Sequence, residues 1–184
     1  MRWLLAVLLV GCASTAPLPS PSGAGPLYVA VLPVEVAPGV VARAPETSTL
    51  RVILGSGGPR DALHDALLSG VATEGYPVMA PEVMRHALMT IDREGPRPAP
   101  GVLAERLGVD AVLLSELRAF DAGHMRTQSR VVVDLALRLV GRDGAVLWSG
   151  ENGPKAVTVR TYRADMDYRA YMDAAADSAL STLP

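Results

Sequence analysis

Residues 130–140 read Arg-Val-Val-Val-Asp-Leu-Ala-Leu-Arg-Leu-Val and form the clearest pattern in the chain. Apolar side chains occupy every second position from Val131 to Leu139, and Arg130, Asp134 and Arg138 fall on the other side. Such alternation is typical of a β-strand with one face against a core and one face toward water. We therefore expect a sheet with an open, polar face.

The segments around this strand predict an antiparallel meander. Ala111–Phe120 is apolar in its first half and alternates in its second half, so it should be a strand that begins buried on both faces. Asp143-Gly144 is a strong signal for a tight turn, and residues 145–150 return from it as a paired strand. Residues 155–162 predict a further, weaker strand.

The first half of the chain predicts strands that alternate with helices. Leu27–Val36 is an almost continuous apolar run, as in a central strand, and Pro33 should mark the point where it leaves the sheet. A short second strand is expected at 76–80. Three helices each begin with a proline, which fits the first helical position: Pro59, Pro81 and Pro100.

Two helices have apolar faces that should pack on the sheet. The inward face of the helix after Pro81 consists of Val83, Met84, Leu88 and Ile91. Asp167–Leu183 is amphipathic, with a stripe made of Tyr168, Tyr171, Met172, Ala175, Ala179 and Leu183. This stripe either packs on the sheet or binds a partner. The element order is strand-helix-strand-helix-helix-strand, then an antiparallel meander and a C-terminal helix. It predicts an α/β fold, a two-layer sandwich with a mixed β-sheet.

Residues 37–58 form a long irregular connection between the first strand and the first helix. Its short apolar piece, Leu50–Leu54, predicts an edge strand or a hairpin. The run Gly55-Ser56-Gly57-Gly58 precedes a helix but lacks the Gly-Lys-Ser/Thr ending of a phosphate-binding loop. We interpret it as a flexible turn.

Residues 1–11 have the layout of a signal peptide. Arg2 precedes a short apolar run, and Leu9-Val10-Gly11-Cys12 ends that run with the one cysteine of the chain. This ending resembles the lipobox of bacterial lipoproteins. In that family the cysteine receives a diacylglyceryl group, and the new amino terminus receives an acyl chain such as palmitate. The resemblance implies covalent lipid on Cys12, and we expect no other cofactor.

Three other interpretations of the leader explain it less well. A transmembrane helix needs about 20 apolar residues, roughly twice the length of this run. A secretory cut after Ala16 would place Pro17 beside the cleaved bond, where proline is disfavoured. A free cysteine in a cytoplasmic chain leaves the apolar leader unexplained. Position 13 is alanine rather than the aspartate that retains such lipoproteins in the inner membrane, so we expect the outer membrane with the domain facing the periplasm.

The predicted organisation has three parts: a signal peptide at 1–11, a lipidated tether at 12–26 and a single α/β domain at 27–184. The tether is rich in Pro, Ser and Gly without periodicity, as in solvated linkers. The formal net charge of −2 argues against nucleic acid, which requires a clustered basic surface. With its cysteine lipidated, the chain has no thiol left for a disulfide.

Four stretches resemble one family of envelope proteins: Ala30–Pro33, Gly75–Pro81, Leu107–Leu114 and Gly144–Gly150. They look like the outer-membrane lipoproteins related to a neisserial vaccine candidate. The domain of that family is similar to the amino-terminal domain of TolB and to the periplasmic part of the curli-secretion lipoprotein. The resemblance covers about Leu27–Gly153 and implies a fold, because its motifs are strands and turns. The long connection at 37–58 departs from the family.

No group of residues predicts a metal site. His64, His86 and His124 are scattered along the chain, without the spacing of ligands on one helix face. Asp61 and His64 could meet on one face, where we interpret them as a surface pair. Asp165 and Asp167 are acidic neighbours that lack the loop of a calcium site.

Catalysis has little support in the residues. Glu116, Asp121 and Asp134 lie on neighbouring predicted strands, and converging carboxylates could perform acid–base chemistry. The alternative is that they are polar positions on the open face of the sheet. No serine has the setting of an activated nucleophile.

The sequence therefore predicts a non-enzymatic envelope lipoprotein that presents an α/β domain for protein–protein contact at the outer membrane. Its expected partners are the membrane, through the lipid, and envelope proteins of unspecified identity, with a homo-oligomer as one form of contact. One alternative is a component of a secretion or export complex of the curli type, which would need membrane-spanning hairpins. Another is a tethered activator of a cell-wall enzyme, which needs a longer reach than this tether gives.

Overall fold

The computed structural model describes residues 26–38, 40, 42–43, 58–124, 130–158 and 169–184. Within these residues six strands form one mixed sheet, accompanied by four helices. The strands are β1 (Val29–Val31), β2 (Glu35–Val36), β3 (Ala42–Arg43), β4 (Ala111–Asp121), β5 (Arg130–Gly141) and β6 (Val146–Thr158). The helices are α1 (Pro59–Thr73), α2 (Pro81–Glu94), α3 (Pro100–Leu107) and α4 (Arg169–Leu180). The predicted α/β fold with a mixed sheet and a C-terminal helix is confirmed.

The three short strands lie one after another along one side of β4 and run parallel to it. The sequence predicted a single run over 27–36 that leaves the sheet at Pro33. The structure differs, because Pro33 interrupts the pairing and the chain returns to β4 at Glu35. Proline has no N–H to donate, and the ladder is interrupted between Val31 and Glu35. The Leu32 N–H still donates to the Leu113 carbonyl at 3.0 Å.

The predicted second strand at 76–80 is reduced to one bridge between Val78 and Val29. The Val29 N–H donates to the Pro77 carbonyl at 2.9 Å, and the Met79 N–H donates to the Val29 carbonyl at 2.9 Å. Pro77 cannot donate and Pro81 begins α2, so the ladder has no room to extend.

The long strands β4, β5 and β6 form the predicted antiparallel meander. Gly144 makes the turn between β5 and β6 with φ of 80°, a conformation that favours glycine. The weak strand predicted at 155–162 is the end of β6 as far as Thr158, and 159–162 lie outside the described residues. The predicted strand or hairpin at Leu50–Leu54 lies outside them as well.

One face of the sheet, which we call the covered face, packs against α1 and α4. From Val131 to Leu139, every second residue of β5 points into this core and is at most 3% exposed. The stripe of α4 is buried in the same cluster at Tyr171, Met172, Ala175 and Ala179. The stripe therefore packs on the sheet, as one of its two interpretations predicted. Leu183 packs partly against this core, and Tyr168 lies outside the described residues.

The opposite face is covered at one end, where α2 and α3 pack over a second apolar cluster. On α2, Met84, Leu88 and Ile91 are buried as predicted, whereas Val83 is 57% exposed. The prediction for Val83 was wrong because this residue lies about 100° around the helix from Met84, outside the buried stripe. The end of α3 is as predicted, with Gly108 in the left-handed conformation.

Candidate functional site: the open sheet face

Beyond α2 and α3, the second face of the sheet is not covered by any helix that the structure describes. We call this region the open sheet face and define it by seven residues of β4, β5 and β6: Leu114, Glu116, Arg118, Ala136, Arg138, Ser149 and Glu151. Their side chains alternate along the strands with those of the covered face, because successive residues of a strand point to opposite sides. They line a groove of about 430 Å³.

An ion-pair network crosses this face from β4 to β6. Glu116, Ala136 and Glu151 are direct neighbours in the register of the three strands. The Arg118 guanidinium donates from Nε to Glu116 Oε2 at 3.2 Å and from Nη1 to Glu151 Oε1 at 3.3 Å. The small side chain of Ala136 leaves space for the arginine to pass over the middle strand. The hydrogen bond to Glu116 raises the pKa of Arg118 above its ordinary value.

Arg138 occupies the next row of the sheet, between Leu114 of β4 and Ser149 of β6. Its side chain is exposed, and it makes no ion pair with any residue that the structure describes. The two glutamates and two arginines of the open sheet face balance in formal charge. Glu35 also lines the groove, so the groove combines strong donors and acceptors of both charges.

A second group of charges borders the groove beside β2. Arg97, between α2 and α3, donates to Asp92 from Nε at 3.2 Å and from Nη2 at 3.0 Å. Its Nη1 also lies 3.7 Å from Glu35 Oε1. The hydrogen bond from Arg97 lowers the pKa of the Asp92 carboxyl. This group joins the connection between α2 and α3 to the rim of the groove.

The three carboxylates considered from the sequence lie in separate rows of the sheet. Glu116 is opposite Ala136 and is bound by Arg118. Asp134 is opposite Ala119, while Asp121 accepts a hydrogen bond from the Gly123 N–H at 2.8 Å. No two of the three are opposite one another. The arrangement fits polar positions on the strands, which was the alternative interpretation.

The histidines do not come together. His64 Nε2 lies 3.1 Å from the Val31 carbonyl, and because a carbonyl can only accept, this nitrogen donates and ties α1 to the end of β1. Asp61 and His64 both line a second cleft between α1 and α2, of about 520 Å³. His86 and His124 are exposed. Among the described residues, no three His, Cys, Asp or Glu side chains are grouped as metal ligands would be.

Several predicted features lie outside the described residues. They are the lipobox residues Leu9, Val10 and Gly11, the lipidated Cys12, the glycines 55 and 57, and the pair Asp165 and Asp167. Lipid on Cys12 therefore stays a prediction. Within the part of the chain that the structure describes, no helix has both the length and the apolar character needed to cross a bilayer.

Sequence reasoning found the polar side of β5 but missed the network that crosses it. Arg118 lies at an irregularity of β4, where the register with β5 shifts between Leu117 and Ala119. Arg118 keeps the alternation of β4 and lies on the same side as Leu114 and Glu116, so the sequence pattern alone gives its face but not its partners. Glu116 and Glu151 reach the same arginine because of the register of β4, β5 and β6. The turn at 143–144 sets only the register between β5 and β6.

No protein-family profile and no curated protein matches this chain. Solved structures with a similar fold exist. Lipoprotein GNA1162 from Neisseria meningitidis is 21% identical with a TM-score of 0.48, and the match covers 69% of this chain and 81% of that one. The LpoB C-terminal domain from Escherichia coli is 16% identical with a TM-score of 0.42, over 72% of this chain and 83% of that one.

The PelC dodecamer from Paraburkholderia phytofirmans gives a third match, with 14% identity and a TM-score of 0.42 over 85% of this chain and 86% of that one. At these identities the likeness is one of fold. The structures similar to this chain thus include a neisserial lipoprotein, in agreement with the resemblance seen in the sequence.

Proposed function

We propose that this protein is a non-enzymatic lipoprotein of the bacterial cell envelope that presents its α/β domain for contact with other proteins. Lipid on Cys12 would hold it on the outer membrane, with the domain in the periplasm. The open sheet face would be the contact surface.

The open sheet face is the observation that carries this proposal. The covered face of the same strands is closed by α1 and α4, so stability is provided there. The open sheet face instead combines apolar Leu114 and Ala136 with arginines and glutamates around a groove. Arginines beside apolar side chains are typical of the energetically important centres of protein interfaces.

The entry of the chain into the domain is consistent with a tethered protein. Pro26 lines one small cleft together with Gly75 and Pro184. Fully extended, a tether over 12–26 reaches about 45 Å, which keeps the domain near its own membrane. Each buried methylene contributes about 0.8 kcal/mol to membrane binding, so two or more acyl chains anchor a protein stably.

Fractionation of cells tests the anchor. The wild-type protein should sediment with the outer membrane, and Cys12→Ala should release it because the site of lipid attachment is lost. Ala13→Asp is the matched control, since it keeps the lipid and should move the protein toward the inner-membrane fraction. Continued membrane association of Cys12→Ala would contradict the anchor.

Crosslinking of intact cells, followed by mass spectrometry, tests the contact function. Discrete adducts between this protein and an envelope protein, or between two copies of it, are the expected result. Recovery of monomer alone would contradict the proposed function.

A further inference from the structure

We propose that the open sheet face binds its partner through a carboxylate that pairs with Arg138. This inference rests on the proposed contact function and specifies the chemistry of the partner. The bound segment would carry an aspartate or glutamate flanked by apolar side chains.

The distribution of ion pairs points to Arg138. Of the three arginines around the groove, Arg118 is bound by two glutamates, and Arg97 is bound by Asp92 and lies near Glu35. Arg138 makes no ion pair within the described part of the chain. Its guanidinium therefore keeps its donors for a group outside the domain, and a carboxylate accepts from two of them at once.

The surroundings of Arg138 favour a partner that excludes water. Leu114 lies beside it and packs partly against the apolar cluster under α2 and α3. Leu32 adds further apolar lining to the groove, and the Ser149 hydroxyl adds a polar group on the other side of the arginine. An ion pair between Arg138 and a carboxylate strengthens when an apolar segment covers it, because the local dielectric constant falls.

The neighbouring glutamates do not prevent this pairing. Glu116 and Glu151 share Arg118, which compensates part of their charge and fixes their positions. Glu35, the third glutamate that lines the groove, lies 3.7 Å from Arg97. Within the described structure Arg138 is therefore the charged side chain of the lining that lacks an opposite partner. Pairing of this charge favours an acidic, partly apolar protein segment over a basic one.

Site-specific photo-crosslinking in the native envelope tests this inference on the full-length lipoprotein. Ser149→p-benzoylphenylalanine places the probe next to Arg138, and Thr90→p-benzoylphenylalanine places a matched probe on an exposed position of α2. Each probe is combined with Arg138→Glu or, as the charge control, with Arg93→Glu on α2. Arg138→Gln, which removes the charge without reversing it, is tested in the same way. Circular dichroism checks that the variants at Arg138 fold.

The expected result is an adduct from the Ser149 position whose yield falls about tenfold with Arg138→Glu, the loss expected when an interfacial charge pair is broken. The yield should also fall with Arg138→Gln and stay unchanged with Arg93→Glu, and the crosslinked partner peptide should contain Asp or Glu. An adduct that is insensitive to both changes at Arg138, or one whose peptide is basic, would overturn the inference. Adducts from the Thr90 position alone would overturn it, and with it the open sheet face as the contact surface, while protein–protein contact by the domain would stand. No adduct from either position would overturn both.

Discussion

The covered face and the open sheet face are made by the same three long strands, yet they meet different requirements. Leu137 is 1% exposed in the core under α1 and α4, and the next residue, Arg138, is exposed in the groove. The covered face has apolar residues at almost every position. The open sheet face mixes charge with apolar surface. One face thus stabilises the fold, and the other is free to serve contact.

Neighbouring substitutions on β5 should separate the two faces most clearly. Leu137→Ala removes a buried side chain and leaves a cavity, so it should lower the free energy of unfolding by about 2–5 kcal/mol. Arg138→Ala should change it by no more than about 0.5 kcal/mol, because exposed positions contribute little. Urea unfolding of both variants checks the difference, and equal losses would show that both faces are structural.

Gly150 of β6 should tolerate no side chain, since α4 approaches it closely. A Cβ at this position would lie 2.5 Å from the Ala179 carbonyl oxygen and would also contact the Trp148 ring. Gly150→Ala should therefore cost about 1–3 kcal/mol in urea unfolding. Gly153, on the same strand with nothing within 4 Å of its Cβ position, is the control. A similar cost for Gly153→Ala would mean that the approach of α4 is not the cause.

Ser115 is a polar residue on the covered face, opposite Leu137, and is 4% exposed. Its hydroxyl has no hydrogen-bond partner within the described structure. Burying an unpaired hydroxyl is unfavourable, so Ser115→Ala should raise the free energy of unfolding by about 1 kcal/mol. Ser149→Ala, on the open sheet face, should leave it unchanged in the same urea experiment. Destabilisation by Ser115→Ala would contradict the unpaired state of the hydroxyl.

The smallest expected effect concerns Tyr76, whose hydroxyl donates to the Pro184 carbonyl at the edge of the covered face. Burial, and next the charge of Glu74, raise the pKa of Tyr76 above its ordinary value of 10.0. The Tyr76 side chain therefore makes its full contribution to the free energy of unfolding below pH 10.0. This contribution is lost as the pH rises through the raised pKa. The free energy of unfolding should be measured for the wild type and Tyr76→Phe between neutral and strongly alkaline pH. The wild type should be the more stable of the two at neutral pH and should lose this difference at strongly alkaline pH. A difference that stays constant would contradict the shift.

The covered face could be predicted from the sequence and the open sheet face only in part. Apolar alternation in β5 and the stripe of α4 report burial directly, because burying apolar side chains is what stabilises this face. Arg118 follows the alternation of β4, but its partner Glu151 is distant in sequence, so their pairing depends on the register of all three long strands. Pro33 illustrates the same limit, since the return of the chain to β4 at Glu35 is a tertiary effect.

Carboxyl footprinting in the native envelope tests the central claim most directly. Purified protein and intact cells would be treated with a carbodiimide and an amine, and labelling of Glu151, which is 66% exposed, would be compared with that of Asp177 on the exposed side of α4. The contact function predicts that Glu151 is labelled several-fold less in cells than in purified protein, while Asp177 is labelled equally. Equal labelling of Glu151 in both samples would show that the open sheet face is not a contact surface.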